Sequence, residues 1–255
     1  MVALDAQGLF LLGGAGVLAG AMNALAGGGS FVTLPALIAS GVPSVTANTT
    51  STVALFPGQI TSAWTYRDGL GSIGPVSLRS LVIATFLGGA IGALSLLRTP
   101  ISTFDLILPW LLAVATVALA FGRRAGEILR HRWPVSAAAV LAVQFVLGAY
   151  GGYFGGGVGI MMMAVWSLLE GRSLKSFHAP RTLMVCAANT VAVIIFIAAQ
   201  AVAWRQALLI LVGAIIGGFF GSQVGRRAPA RIVRAGTLAL SVGITLLFFV
   251  RAYVK

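Results

Sequence analysis

Carboxylate side chains are scarce in this chain, which has only five acidic residues among 255. They all fall in polar gaps or at the ends of apolar segments: Asp5, Asp68, Asp105, Glu127 and Glu170. Ionisable side chains deep inside a membrane are typical of proton pathways. Because no carboxylate lies in the middle of an apolar segment, the sequence argues against a buried Asp/Glu proton relay.

Histidine and cysteine are scarcer still. His131, His178 and Cys186 lack the spacing of a metal-binding motif, so we expect no metal and no other cofactor. A single cysteine also excludes an intramolecular disulfide. The P-loop, G-x-S-x-G and H-E-x-x-H motifs are missing, which argues against ATP hydrolysis by this chain alone. His178 and Ser176 are the only conceivable acid–base pair, and no third group orients them, so we expect no enzyme activity.

What the chain has in abundance is apolar sequence, with 58% hydrophobic and 9% charged residues. The apolar blocks approach the roughly 20 residues that a helix needs to cross a bilayer, which predicts an all-α polytopic membrane protein. The net charge of +12 lies in short gaps, so the expected partner is membrane lipid, with no nucleic acid. The segments are 8–26, 30–41, 47–66, 76–97, 103–121, 135–153, 157–169, 178–200, 205–224 and 232–251.

The basic gap at 122–134 divides five segments from five, which indicates a duplication. We therefore expect a first repeat at 1–121, a basic linker at 122–134 and a second repeat at 135–255. Each half carries a triple glycine between its first two segments, in AGGGSF and in FGGGVG. The segment after each triple glycine is too short to cross the bilayer, because it reaches only about 20 Å.

The cations predict how these short segments run. If the first two segments of each half form a hairpin that enters and leaves on one side, 13 of the 17 Lys and Arg residues face the cytoplasm. If each glycine break only kinks one long span, the number is nine. The positive-inside rule favours the hairpins. The prediction is two inverted repeats, each with a glycine-tipped hairpin and three spans, in the inner membrane with the 122–134 loop cytoplasmic and both termini outside.

The glycine turns are the first candidate site. A helix that starts at a glycine turn offers its N–H groups and the positive end of its dipole, which favours an anion. The alternative is that the glycines only permit close contact between helices. The candidate ligands from the two turns are Gly28, Gly29, Ser30, Gly156 and Gly157.

Polar clusters at the start of the third segment of each half are the second candidate. In ANTTST and FHAPRTLMVCAANT, helix capping accounts for one or two polar residues but not for all. Arg181 either extends its guanidinium to the membrane surface or serves as the charged partner of an anionic substrate. The candidate ligands are Asn48, Thr49, Thr50, Ser51, Arg181, Thr182 and Asn189.

Two stretches resemble the TauE/SafE family of membrane permeases, also called the sulfite-exporter family. They are AGGGSFVTLPALIASGVPSVTANTTSTVALFPG and FGGGVGIMMMAV, the latter followed by TLMVCAANTVAVIIFIAAQAVAW. The resemblance covers nearly the whole chain and implies transport of a small sulfur-containing or organic anion, such as sulfite, sulfoacetate or another sulfonate. One departure concerns the second turn, where Val158 stands in place of the hydroxyl of Ser30, so the two turns differ chemically.

The sequence thus favours a secondary carrier for a small anion that works by alternating access. An inside-negative potential drives anions outward, which favours export. The alternatives are an anion channel built on the same helix ends and an uptake permease for the same anions. Small-residue stripes at Gly88–Gly92 and Gly213–Gly221 fit either a homodimer or helix packing within one chain, and we expect the second use.

Overall fold

Helices account for almost all of the described chain. The computed structural model describes residues 6–25, 27–73, 75–129, 136–169, 177–227 and 230–254. The all-helical fold class predicted from the sequence is confirmed. The α-helices are α1 (Ala6–Leu25), α2 (Ser30–Ala39), α3 (Ser44–Thr65), α4 (Leu78–Arg98), α5 (Ile101–Leu129), α6 (Ala137–Tyr153), α7 (Val158–Leu169), α8 (His178–Ala198), α9 (Trp204–Arg227) and α10 (Ala230–Tyr253).

Six helices of the described chain are long and apolar enough to cross a membrane: α1, α4, α5, α8, α9 and α10. The segments α2 and α7 are short, with 10 and 12 residues, as the sequence predicts. Two details differ from expectation. The helix α1, expected to be one arm of a hairpin, has 20 residues and the length of a full span. The helix α3, expected to be a span, has 22 residues, but its composition is too polar for it to count among the six candidate membrane spans.

The helix α5 is longer than the apolar segment from which it was predicted. Its apolar part ends at residue 121, whereas the helix continues to Leu129 and so includes most of the expected linker at 122–134. The last five residues of that linker lie outside the described part of the chain. Where the two repeats are divided therefore stays a prediction.

Glycine allows α1 and α9 to touch along their backbones. A Cβ atom added to Gly16 would lie 2.6 Å from the carbonyl oxygen of Ile210, and one added to Gly20 would overlap the carbonyl oxygen of Ala214. The residue numbers rise together along this contact, so α1 and α9 run parallel. The glycine stripe in α9 therefore packs against α1 within the chain.

The helices α4 and α6 pack in the same way. A Cβ atom on Gly88 would overlap the carbonyl oxygen of Phe145, and one on Gly92 would overlap that of Ala149. These helices are also parallel. Each half has five helices, so α1 and α6 are the first helices of the two halves, and α4 and α9 are the fourth. In both pairs, therefore, the first helix of one half packs against the fourth helix of the other half.

Tryptophans near the ends of membrane segments typically lie in interfacial belts, but Trp166 is buried inside the protein. Trp64 and Trp204 are exposed, but Trp166 is fully buried and donates from Nε1 to Gln144 Oε1 at 3.1 Å. Gln144 in turn donates from Nε2 to Thr85 Oγ1 at 2.8 Å. These buried bonds connect α7, α6 and α4. They give each of these polar groups the partner that it requires in an apolar interior.

The parallel helix contacts yield a paired prediction. Gly217→Ala would force a methyl group into the carbonyl oxygen of Val17, whereas Gly243→Ala on α10 meets nothing within 4 Å. We expect Gly217→Ala to cost about 1–3 kcal/mol of stability, as overpacking does, and Gly243→Ala to be neutral or slightly stabilising. The measurement is the thermal unfolding midpoint in detergent. Equal midpoints for the two variants would contradict the close packing of α1 on α9.

Candidate functional site

The first glycine turn, residues 27–30, joins α1 to α2 by two left-handed residues. Gly27 has φ +79° and Gly28 has φ +101°, conformations that other residues adopt only with strain. The N–H of Gly27 bonds to the carbonyl of Met22 at 3.0 Å. Ser30 is half-buried and begins α2. A chain reversal this tight explains why glycine occurs here inside an apolar stretch.

Asn23 closes the first turn, and sequence reasoning missed it. Its Oδ1 accepts from the N–H of Gly29 at 2.7 Å. The next amides, those of Phe31 and Val32, bond to the carbonyls of Gly28 and Gly29 at 3.0 Å each. The N–H of Gly29 is therefore already paired and does not face a ligand in this arrangement. The signal for Asn23 was an amide side chain in an otherwise apolar helix end.

Arg181 extends from α8 toward the first glycine turn. Its Cδ and Cγ lie 3.2 and 3.3 Å from the position that a Cβ of Gly159 would take, so this glycine makes room for the side chain. Its Nη1 lies 3.9 Å from the corresponding position at Gly27. Among the described residues no carboxylate pairs with Arg181, since their one ion pair joins Arg67 and Asp68. The structure thus brings a half-buried cation to the turn predicted to bind an anion.

The second glycine turn, residues 154–157, joins α6 to α7. Gly155 and Gly157 have φ +76° and +74°. Asn48 of α3 donates from Nδ2 to the carbonyl of Tyr153 at 2.9 Å, and so caps the end of α6. Gly156 lies against the ring of Phe154, where an added Cβ would come within 2.6 Å of the ring. The two predicted glycines of this turn are thus tightly packed, and Asn48 fastens the turn to α3.

Phe31 contacts both glycine turns. Its ring atoms lie 3.4 Å from the Cβ position of Gly28 and 3.7 Å from that of Gly157. The side chain is almost fully buried, and Ala115 of α5 borders Gly157 on another side. One aromatic ring therefore separates the two turns, which come from opposite halves of the sequence.

Asn189 of α8 faces the second turn. Its Nδ2 donates to Gln59 Oε1 of α3 at 2.6 Å, which links the two helices. Its Oδ1 lies 3.8 Å from the Cβ position of Gly155, is buried and accepts no hydrogen bond. An unpaired buried acceptor is costly in an apolar environment. Gln59 is a second residue of the site that was not among the predicted ligands.

Thr49 and Thr50 bind protein backbone instead of facing a turn. Thr49 Oγ1 donates to the carbonyl of Ala201, and Thr50 Oγ1 accepts from the N–H of Ala203 at 3.0 Å. Both threonines are completely buried. They fasten the first half of α3 to the connection between α8 and α9, so their hydroxyls are engaged.

Ser51 and Thr182 are engaged as well. Ser51 Oγ shares a hydrogen bond with Thr33 Oγ1 of α2, and Thr182 Oγ1 donates to the carbonyl of Ala179 in its own helix at 2.9 Å.

Ser176 lies outside the described residues, as does the side chain of His178, so the conceivable acid–base pair has no described geometry. Of the side chains predicted as ligands, Asn48 is bonded to the backbone at the second turn, whereas the Arg181 guanidinium lies beside the first turn and Asn189 Oδ1 faces the second turn without a hydrogen bond.

Comparison with known families identifies the chain. The family model described as "Sulfite exporter TauE/SafE" matches residues 12–248. The chain belongs to the TauE/SafE family. The match includes both glycine turns and all ten helices, at least in part, which confirms the resemblance drawn from the sequence motifs.

Curated relatives of this TauE/SafE protein are named as transporters. A "Probable membrane transporter protein" of Haemophilus influenzae is 26% identical over 90% of both chains. "Probable membrane transporter protein ORF9" of Sinorhizobium sp. is 27% identical over 91% of this chain and 88% of the relative. "Probable membrane transporter protein YfcA" of Escherichia coli is 26% identical over 86% and 81%. No solved structure matches the chain. Together with six apolar helices, these matches establish a multi-pass membrane transporter.

The turn geometry of this TauE/SafE protein yields a prediction for Asn23. Asn23→Ala leaves the buried N–H of Gly29 without its acceptor, which we expect to cost about 1–3 kcal/mol of stability. The measurement is the thermal unfolding midpoint in detergent. Ser222→Ala is the matched control, because this exposed serine bonds only within α9, to the carbonyl of Phe219. An Asn23→Ala midpoint equal to that of the control would show that the bond to Gly29 is dispensable.

Proposed function

We propose that the protein is a secondary carrier for a small anion, of the sulfite, sulfoacetate or sulfonate class. The observation that carries the proposal is Arg181, whose guanidinium lies beside the first glycine turn with no carboxylate partner among the described residues. A half-buried cation in a membrane protein needs a compensating charge. An oxyanion supplies that charge and accepts the guanidinium N–H groups in pairs.

The helix arrangement supports alternating access between two inverted repeats. The parallel pairs α1–α9 and α6–α4 interlock the two halves, and α5–α7 with α10–α2 make a further equivalent pair. Carriers built from such repeats bind substrate where broken helices meet near the membrane midplane. The contact of Phe31 with both glycine turns supports a site between them.

The two ends of α3 differ in a way that fits one state of such a cycle. At its start, Thr49 and Thr50 are buried and bonded to the connection between α8 and α9. Near its end, Thr61, Thr65 and Tyr66 are exposed. We infer that the site is closed at the Thr49 end and open at the Tyr66 end. By the distribution of cations, the Tyr66 end is cytoplasmic.

The proposed direction of transport rests on the charge of the substrate. The membrane potential drives an uncompensated anion outward, with a driving force of about 2.3 kcal/mol per charge for every 100 mV. If the anion is transported without an accompanying cation, we propose export across the inner membrane. An anion accompanied by a cation is free of this constraint, and an uptake permease then becomes the expected form.

The decisive test is anion flux in proteoliposomes with Arg181→Gln. We expect flux of sulfite or sulfoacetate to fall about tenfold or more, the loss typical of one charge-assisted hydrogen bond, and Arg181→Lys to retain part of it. Arg205→Gln, at the exposed start of α9, is the control. Wild-type flux in Arg181→Gln would overturn the site. Saturable flux with counterflow identifies a carrier, and unitary currents would identify the channel instead.

A second test concerns closure at the Thr49 end. The native cysteine is first removed by Cys186→Ser. Ala47→Cys then places a thiol at a fully buried position of α3, just before Thr49 and Thr50 in the chain. Adding Thr50→Val removes the acceptor of the Ala203 N–H and should raise the rate of labelling by a water-soluble maleimide about fivefold, as loss of one hydrogen bond predicts. Thr61→Val is the control, because Thr61 bonds only within α3. Equal labelling rates would exclude this contact as a gate.

A further inference from the structure

Three oxygen atoms converge on the second glycine turn. Because residue 155 is a glycine, the space that a Cβ would occupy there is open. That position lies 3.4 Å from the carbonyl oxygen of Gly151, 3.6 Å from Thr52 Oγ1 and 3.8 Å from Asn189 Oδ1. We refer to these three atoms as the oxygen cluster. They come from α6, α3 and α8, so the cluster joins the two halves of the chain.

The two side chains of the cluster present lone pairs to the turn. Thr52 donates its hydroxyl hydrogen to the carbonyl of Asn48 at 3.0 Å, which leaves only acceptor capacity on its oxygen. Asn189 uses Nδ2 to bond Gln59, which turns Oδ1 toward the turn. This Oδ1 accepts no hydrogen bond, although the side chain is only 2% exposed.

The backbone contributes a third acceptor. In a continuing helix the N–H of Gly155 would bond to the carbonyl of Gly151. Here that N–H bonds to the carbonyl of Tyr150 instead, at 3.3 Å, so the helical partner of the Gly151 carbonyl is missing. Carbonyls at the end of a helix also carry the negative end of its dipole. The cluster is therefore a concentration of negative partial charge in an apolar interior.

We propose that the oxygen cluster binds a sodium ion that is transported together with the anion. Three converging acceptors need a donor or a cation among them. The ends of broken helices and neighbouring side-chain oxygens are the ligands by which many carriers hold Na⁺. No acidic residue occurs in α3, α6 or α8, and a neutral oxygen site suits a monovalent cation better than Ca²⁺, which recruits carboxylates.

The consequence for transport rests on the proposed function. A sodium ion at the second turn and a monovalent anion beside Arg181, such as a sulfonate without a second acidic group, form a pair without net charge. The membrane potential then exerts no net force on the pair, and an inward sodium gradient drives uptake. The predicted direction is thus reversed from export to uptake when the cluster is occupied. Binding of sodium itself does not depend on which anion is carried.

The test is sodium binding to the purified full-length protein in detergent. Its unfolding midpoint is measured in NaCl, KCl and choline chloride at constant ionic strength, without any added anionic substrate. A ligand that binds only the folded state raises the midpoint with concentration. We expect a saturable rise with Na⁺ that choline does not produce. Thr52→Val should raise the Na⁺ concentration needed about tenfold, as loss of one ligand or its support does.

Two further variants make the result specific. Thr52→Ser keeps the oxygen and should restore the sodium response, and Thr61→Val removes an exposed hydroxyl of the same helix as a control. Equal midpoints of the wild type in Na⁺ and choline would overturn the proposal, as would an unchanged sodium response in Thr52→Val. The Asn189 amide would then be rotated, so that Nδ2 donates into the cluster. Stabilisation by sulfite or sulfoacetate in choline alone would leave the proposed anion carrier intact.

Discussion

Every backbone amide inside a membrane must find its hydrogen-bond partner within the protein, and this requirement is hardest to meet where a helix is broken. Both glycine turns are such places. Asparagine side chains meet the requirement in each turn, since Asn23 accepts from Gly29 and Asn48 donates to Tyr153. These two bonds help to hold the turns, and the residues that face them, in position.

The second constraint is the distance between helices. Apolar side chains gain little by meeting each other in lipid, so membrane helices associate by close packing. In this protein glycines bring α1 against α9 and α4 against α6 until backbone touches backbone. Each contact joins the first half of the chain to the second. The halves are therefore interleaved, and the ring of Phe31 contacts both glycine turns.

Polar residues that look alike in the sequence have separate tasks in the structure. Thr49 and Thr50 adjoin Asn48 in one polar run, yet they hold the connection between α8 and α9, whereas Asn48 holds the second turn. Helical rotation explains the difference, because neighbouring residues on a helix point about 100° apart. Thr52, one turn beyond Asn48, faces the same turn and was not among the predicted ligands.

The sequence by itself determined the helical class, the ten segments, the two short helices and the family, because runs of apolar residues and glycine motifs are local features. It also singled out Arg181 and Asn189. It did not reveal that Asn23 accepts from Gly29, that Gln59 bonds to Asn189 or that the buried Trp166 bonds to Gln144. Those features depend on which helices become neighbours. Only the tertiary structure decided that, because the partners of each polar group come from segments far apart in the chain.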